Sequence, residues 1–280
     1  MLRDRFRLGL AAALVVGLIA SGLLVGCTPA EEDPTLVPVV EPPVIGKAGV
    51  LRVAIDLEYP PFGGEDKGQE AGLDVDVASA LAAELGLELK IVDVKPSEIG
   101  TALADGDIDV AMSIPFDEAS MGMMSLAGSY YANGPAFFVS TEDTATEIEM
   151  LDISSLAGKS VAAQEGSLAF WMLEYELGEG GVVKFTALRE ALEALEAGEV
   201  DVVAGDAFVA AYIARDMSSI RFAGQLEPAL LHGVGVQLEA ADLEEAVRGA
   251  LDKLAADGVL MTVRVKWLGD LPELETAGEQ

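Results

Sequence analysis

Several residues able to do polar chemistry fall just past the ends of short apolar runs. Asp56, Tyr59 and Phe62 follow the run at 51–55, and Ser113 closes the run at 110–113. Gln164, Gly166 and Ser167 follow the run at 160–163, and Asp206 follows the one at 202–204. If these runs are parallel strands, their carboxyl ends form one edge, which is where open α/β sheets bind ligands. Two such edges facing each other make a cleft for a small molecule. Other chemistries fail on spacing. Asp105-Gly106-Asp107-Ile108-Asp109 suggests a calcium loop, yet its sixth and twelfth positions are Val110 and Phe116 where Gly and Glu are required. Gly158-Lys159-Ser160 imitates the end of a phosphate loop, but Ile153 stands where the first Gly belongs. His232 is the only histidine, so zinc sites built on paired His are excluded, and no nucleophile has a local activating partner. The residues therefore assign no cofactor and no metal.

The elements that must position these residues alternate. Strand-like runs fall at 51–55, 89–94, 110–113, 136–140, 160–163, 182–185, 202–204 and 234–238. Between them Val77, Ala78, Leu81 and Leu85 recur at helical spacing, as do Leu188, Ala191, Leu192 and Leu195, and Leu243, Val247, Ala250, Leu251 and Leu254. A βαβ rhythm predicts an α/β fold of mainly parallel sheets with helices on both faces. The chain also repeats weakly: Ala102-Leu103-Ala104-Asp105-Gly106-Asp107-Ile108-Asp109-Val110 parallels Ala194-Leu195-Glu196-Ala197-Gly198-Glu199-Val200-Asp201-Val202. The runs that open at Leu51 and Lys159 correspond in the same order, which favours two lobes built on one plan.

At the N-terminus, Arg3, Arg5 and Arg7 precede an uncharged apolar stretch at 8–25 and the sequence Leu24-Val25-Gly26-Cys27. This is the layout of an export signal over residues 1–26. Leu-Val-Gly-Cys resembles the bacterial lipobox, which implies a lipidated Cys27 as the first mature residue and a protein held outside the cytoplasm at a membrane. A plain transmembrane anchor is the alternative for a stretch of that length. Residues 27–46, acidic and Pro-rich, read as a mobile tether, and 272–280 as a loose tail. Cys27 is the only cysteine, so no intrachain disulfide forms and stability must come from a core. With 48 acidic against 17 basic residues the net charge is −31, which excludes nucleic acid as a partner.

Longer motifs then carry a family resemblance. The run from Leu51 through Asp56 and Tyr59-Pro60-Pro61-Phe62, the helix entry Gly72-Leu73-Asp74-Val75-Asp76, Tyr130-Tyr131-Ala132-Asn133-Gly134, Gly233-Val234-Gly235-Val236, and Ala255-Ala256-Asp257-Gly258 with Lys266-Trp267-Leu268-Gly269 stand in order. Together they resemble family 3 of the bacterial solute-binding proteins, which serve ABC importers of polar amino acids. The resemblance implies a two-lobed periplasmic-binding-protein fold of type II with two hinge crossovers, near Gly134 and Gly233. Lobe 1 would span 47–134 and 233–271, and lobe 2 would span 135–232. It implies a small polar or cationic solute and the membrane subunits of an importer as partners. It also implies an aromatic wall of Tyr59 and Phe62, polar contacts from Asp56, and a carboxylate at Asp206 that receives an ammonium group. Asp206 also reads as a helix N-cap before Ala207, and the two duties are compatible. Gly166 and Ser167 open a helix whose N–H groups suit an anion. Ser113 also reads as an ordinary strand-end serine, Phe62 as core, and Trp171 and Trp267 as packing.

One departure bears on the ligand. The family usually places after Ser113 an Arg that grips the ligand carboxylate in a bidentate pair. This chain has Glu118 or Met121 there, and no Lys or Arg anywhere in 96–158. With Glu165 beside the second edge, the expected site is negative and favours a cationic or multiply aminated solute. Two other functions remain: an exported enzyme on the same scaffold, of the cyclohexadienyl dehydratase kind, and a sensory or degenerate binding module.

Overall fold

The computed structural model describes residues 37–141 and 148–277. The export signal and Cys27 lie outside the described residues. In chain order the first part contains β1 (Val50–Ile55), β2 (Gly64–Asp66), β3 (Gln69–Ala71), α1 (Leu73–Glu84), β4 (Glu88–Asp93), α2 (Ile99–Ala104), β5 (Val110–Pro115), α3 (Glu118–Met121) and β6 (Ser125–Asn133). Then come β7 (Pro135–Ser140), β8 (Val161–Gln164), α4 (Leu168–Leu177), β9 (Val183–Phe185), α5 (Leu188–Glu196), β10 (Val202–Asp206), α6 (Ala207–Ala214) and β11 (Ile220–Gln225). The chain ends with β12 (Leu230–Val236), α7 (Ala241–Ala256) and α8 (Val259–Leu268). Among the described residues no helix is long and apolar enough to cross a membrane.

Two five-stranded sheets result, ordered β4-β1-β5-β12-β6 and β11-β7-β10-β8-β9. β1 lies parallel to β4 and β5, whereas β12 runs antiparallel to β5 and β6. In the second sheet β8, β9 and β10 are parallel, and β7 runs against both β10 and β11. The central strands are apolar on both faces because helices cover both: Leu51, Val53 and Ala54 are buried in β1, and Val202, Val203 and Ala204 in β10. The expected helical stripes face inward, with Val77, Ala78 and Leu81 of α1, Leu188, Ala191, Leu192 and Leu195 of α5, and Leu243, Val247, Ala250, Leu251 and Leu254 of α7 all buried.

The internal repeat has a structural counterpart. Asp109 donates its N–H to Arg52 O (2.8 Å) and its Oδ2 accepts from Arg52 N–H (2.8 Å). Asp201, at the matching position, donates to Ser160 O (2.9 Å) and its Oδ2 accepts from Ser160 N–H (2.7 Å). Each aspartate thus ties the turn before one parallel strand to the neighbouring strand. Asp109 also pairs bidentately with the Arg52 guanidinium, at 3.0 Å from Nε and 2.6 Å from Nη2. That pairing explains the Asp-rich run, and among the described residues no cluster of His, Cys, Asp or Glu is arranged to hold a metal.

Three expectations need correction. The segment taken as tether is docked from Val39 onward: Val39 N–H bonds Leu85 O (2.9 Å), Gly46 N–H bonds Asp109 Oδ1 (2.8 Å), and Val40 and Ile45 enter the core. A Pro-rich composition sets an extended backbone but does not stop single apolar side chains from docking. The tail docks likewise, with Leu274 buried and Glu275 bonded through its backbone to Ala229 and Gln225. The return between sheets lies at 226–229 rather than at Gly233, because β12 already begins at Leu230. Gly233 is a strand residue where two backbones nearly touch: a Cβ there would sit 2.0 Å from Gly128 O. The outward crossing falls at Gly134, between β6 and β7.

Candidate functional site

The site is built on the carboxyl end of β5. Ser113 sits there with φ +56°, in the left-handed region that serine rarely adopts. Three hydrogen bonds hold it. Its N–H donates to Tyr130 Oη (2.8 Å), its Oγ donates to Asp74 Oδ2 (2.5 Å), and it accepts from Tyr131 Oη (2.8 Å). Tyr130 Oη in turn donates to Asp74 Oδ1 (2.6 Å). Asp74 belongs to the first turn of α1 and is only 2% exposed. Burial pushes its carboxyl up to about 7, against the opposing pull of the Ser113 and Tyr130 bonds.

A second carboxylate reaches the same place from the other sheet. Asp206 ends β10 and caps α6, accepting Val209 N–H at Oδ1 (2.9 Å). Its Oδ2 accepts from Asn133 Nδ2 (2.7 Å), while Asn133 Oδ1 accepts Phe208 N–H (3.2 Å). Desolvation raises the Asp206 carboxyl despite these bonds. The aromatic residues form a continuous layer beside it. Tyr59 stacks on Phe62 (5.5 Å between centroids) and Phe62 on Phe208 (6.0 Å), while Tyr131 stacks on His232 (4.9 Å). The Tyr59 hydroxyl is pushed up to about 12 by burial and by the nearby charges of Asp206 and Asp56. Burial lowers the His232 imidazole, whose Nδ1 lies 2.9 Å from Leu230 O.

Two cavities meet here, sharing Tyr59, Asn133, Asp206 and His232. The first, of about 890 Å³, brings together Asp56, Tyr59, Phe62, Ser113 and Asp206 from the sequence-derived set, with Asp74 at its floor. The second, of about 760 Å³, adds Gln164 and Ser167. Neither is lined by Lys or Arg. Glu118 and Gly166 line neither. Glu118 is the exposed first residue of α3, a short helix capped by Asp117, so its carboxylate faces water. Gly166 supplies a left-handed turn (φ +79°) between β8 and α4. Ser167 caps α4 by accepting Phe170 N–H (3.1 Å), and its own N–H is bonded to Gln164 O (3.1 Å), so that amide is not open to an anion. Glu165 is exposed; the acidic residues that do line the cavities are Asp56, Asp74, Asp206 and Glu227. Trp267 packs, donating Nε1–H to Asp76 (2.6 Å), whereas Trp171 lies 59% exposed.

Asp74, Asn133, Tyr131 and Glu227 are polar lining residues to which the sequence assigns no contact. For Asp74 a signal existed: it sits on the stripe of Val77, Ala78 and Leu81, and a charge on a buried helical face demands a partner. Asn133 carries no such mark, since its partner lies 73 residues away.

The model of the bacterial extracellular solute-binding proteins, family 3, matches residues 51–270, which takes in both sheets and every residue just described. The chain belongs to that family. Among curated relatives of this family 3 protein, the L-arginine-binding protein of Pseudomonas aeruginosa is 28% identical over 236 residues, covering 78% of this chain and 87% of that one. Among solved structures, an ancestral cationic amino acid solute binding protein superposes with a TM-score of 0.68 at 26% identity, covering 79% of this chain and 96% of that one. The architecture of family 3 is thus the type II periplasmic-binding-protein fold, as the sequence resemblance implied. A cyclohexadienyl dehydratase of Pseudomonas aeruginosa matches more locally, 41% identical over 68 residues, or 24% of this chain and 25% of that one.

Proposed function

We propose that this family 3 protein is the extracytoplasmic receptor of an ABC importer and captures a small amine-bearing solute, amino-acid-like or cationic, in a cleft between two lobes. The observation that carries this reading is the joining of Asp206 to the aromatic layer of Tyr59, Phe62 and Tyr131, in cavities lined by carboxylates and by no Lys or Arg. A desolvated carboxylate with one oxygen on Asn133 and one on the α6 backbone is oriented to take an ammonium or guanidinium in a charge-assisted hydrogen bond. Aromatic faces beside it add cation–π attraction. Asp56, Ser113, Gln164 and Ser167 supply the remaining polar contacts. Glu118 and Gly166 drop out of the contact set.

The L-arginine-binding relative and the ancestral cationic amino acid binder support a cationic solute. The dehydratase likeness covers too little of either chain to carry an enzymatic reading. The lobes exchange chain at Gly134 and at 226–229, and these crossings serve as the hinges about which the cleft closes. Lipidation of Cys27 anchors the receptor to the membrane, with the chain ahead of Val39 as tether.

A thermal-shift screen of basic amino acids, polyamines and quaternary amines tests this reading, because ligand at 100 times its Kd adds about 2.7 kcal/mol of stability. A stabilising amine supports it; stabilisation by dicarboxylates or neutral sugars alone contradicts it.

A further inference from the structure

The larger cavity does not end at the carboxylates. β12 runs antiparallel to β5, with Gly233 opposite Ile114 and Val236 opposite Val110. Leu238, two residues beyond Val236, therefore lies at the amino end of β5, whereas Ser113 and Asp74 mark its carboxyl end. Both ends line the same cavity. At 3.3 Å per residue it follows β5 for roughly 10–15 Å. Along that course its walls are Ile99, Gly100, Thr101 and Ala104 of α2 with Ser97 ahead of them on one side, and Met123 and Met124 on the other, over Ile114. The residues of this arm carry no charge. Met123 is 56% and Leu238 49% exposed, so two large apolar side chains face the groove with their surface still accessible. The Met123 sulfur stands 3.8 Å from where a Cβ on Gly100 would be, ordinary contact distance, so at this waist the glycine faces only a flexible thioether and an apolar chain enters as Met123 swings aside.

The cavity is therefore bipolar. One end holds Asp56, Asp74 and Asp206 with Tyr59, and the other is an uncharged, mainly apolar groove with two flexible thioethers, which adapt to varied shapes. The α3 segment that borders it offers Ser120, Gly122 and the methionines to the lining and no cation to a carboxylate. We infer that the solute is an amphiphilic amine, with a cationic head at Asp206 and an apolar body along β5, and without a carboxylate at its far end. This rests on the proposed amine-binding function and narrows it to a chemical class.

The test is calorimetric titration of the full chain with straight-chain amines from propylamine to octylamine, alongside 8-aminooctanoate, which has the same cation and length but ends in a carboxylate. Affinity should rise about fourfold per added methylene over several additions, the increment for burying CH₂, and 8-aminooctanoate should bind at least about 100-fold more weakly than octylamine. Gly100→Leu should fill the groove, its Cβ meeting only ordinary contact distances in α2, and should bring octylamine down to the affinity of propylamine while leaving propylamine unchanged. Met123→Glu, at an exposed position, should also flatten the chain-length dependence. Equal binding of octylamine and 8-aminooctanoate, or an unchanged slope in folded Gly100→Leu, overturns the inference. If L-arginine or propylamine binds in an Asp206-dependent way while the slope is flat, the amine-receptor reading survives and the apolar-body inference falls. If no amine of the series and no basic amino acid binds, both fall.

Discussion

Asn133 Nδ2 donates to Asp206 Oδ2 across 2.7 Å, joining the last residue before the first crossing to the last residue of β10. The same carboxylate caps α6 through Val209 N–H. A structural and a binding duty thus rest on one side chain, and isosteric substitution separates them. Asn is as good an N-cap as Asp, but with its one oxygen on Val209 N–H its Nδ2 faces Asn133 Nδ2, so Asp206→Asn keeps the cap and loses the Asn133 bond, at about 1–3 kcal/mol. Asp206→Ala loses both bonds and should cost about 0.5–2 kcal/mol more than Asp206→Asn, the increment for the cap. Urea denaturation of both variants measures this; equal losses would mean that the cap contributes nothing to the fold.

The Asp74 carboxyl gives stability a distinctive pH dependence. Its folded value lies at about 7, above the ordinary 3.8, through burial. Between those values the folded state holds a proton that the unfolded chain releases. This contribution is therefore fully present below pH 4 and declines as pH rises to 7, with a slope of up to about 1.4 kcal/mol per pH unit. Asp74→Asn removes the titration. The stability of the wild type minus that of Asp74→Asn should fall from pH 4 to pH 7 and level off above; a flat difference contradicts the assignment.

Asp109 is 6% exposed and accepts four hydrogen bonds, two of them from the Arg52 guanidinium. Asp109→Ala leaves Nε and Nη2 of the Arg52 guanidinium and two backbone amides without their acceptor. A loss of about 3–5 kcal/mol follows, the range for breaking a buried ion pair. Guanidinium denaturation tests it, and a loss under 1 kcal/mol would show the pair to be incidental.

Lipidation is tested at its only thiol. Replacing Cys27 with Ser should abolish metabolic labelling by fatty acid and release the protein from the membrane fraction. Continued labelling contradicts the anchor.

Much of this fold is legible in the sequence because its long elements obey one period each. The apolar stripes of α5 and α7 read directly, as do β1, β4 and β10. β6 is hidden: Ser125–Asn133 mixes Gly, Ala, Ser and Tyr without alternation, since Gly128 must admit Leu251 from α7, at 3.0 Å from a Cβ, and the backbone of Gly233. The polar hairpin of β2 and β3 gives no apolar signal at all. In the site, residues at strand ends were accessible to a topological rule, and Asp56, Ser113 and Asp206 follow from it. What escaped depends on contacts distant in sequence. The bond of Asp74 to Ser113 spans 39 residues and that of Asn133 to Asp206 spans 73, and no local period encodes either.

The proposed closure on ligand about the crossings at Gly134 and 226–229 has its own readout. Small-angle scattering should give a smaller radius of gyration in the presence of a saturating amine. An unchanged radius at saturation contradicts a closing cleft.

The most direct test of the account is calorimetric titration of the wild type and of Asp206→Asn with L-arginine, agmatine, spermidine, succinate and glucose. At least one cationic solute should bind the wild type, and Asp206→Asn should weaken it by about 2–5 kcal/mol, the cost of removing one partner of a desolvated charge pair. Tight binding of succinate or glucose that is insensitive to Asp206→Asn would contradict the electrostatic reading of the site.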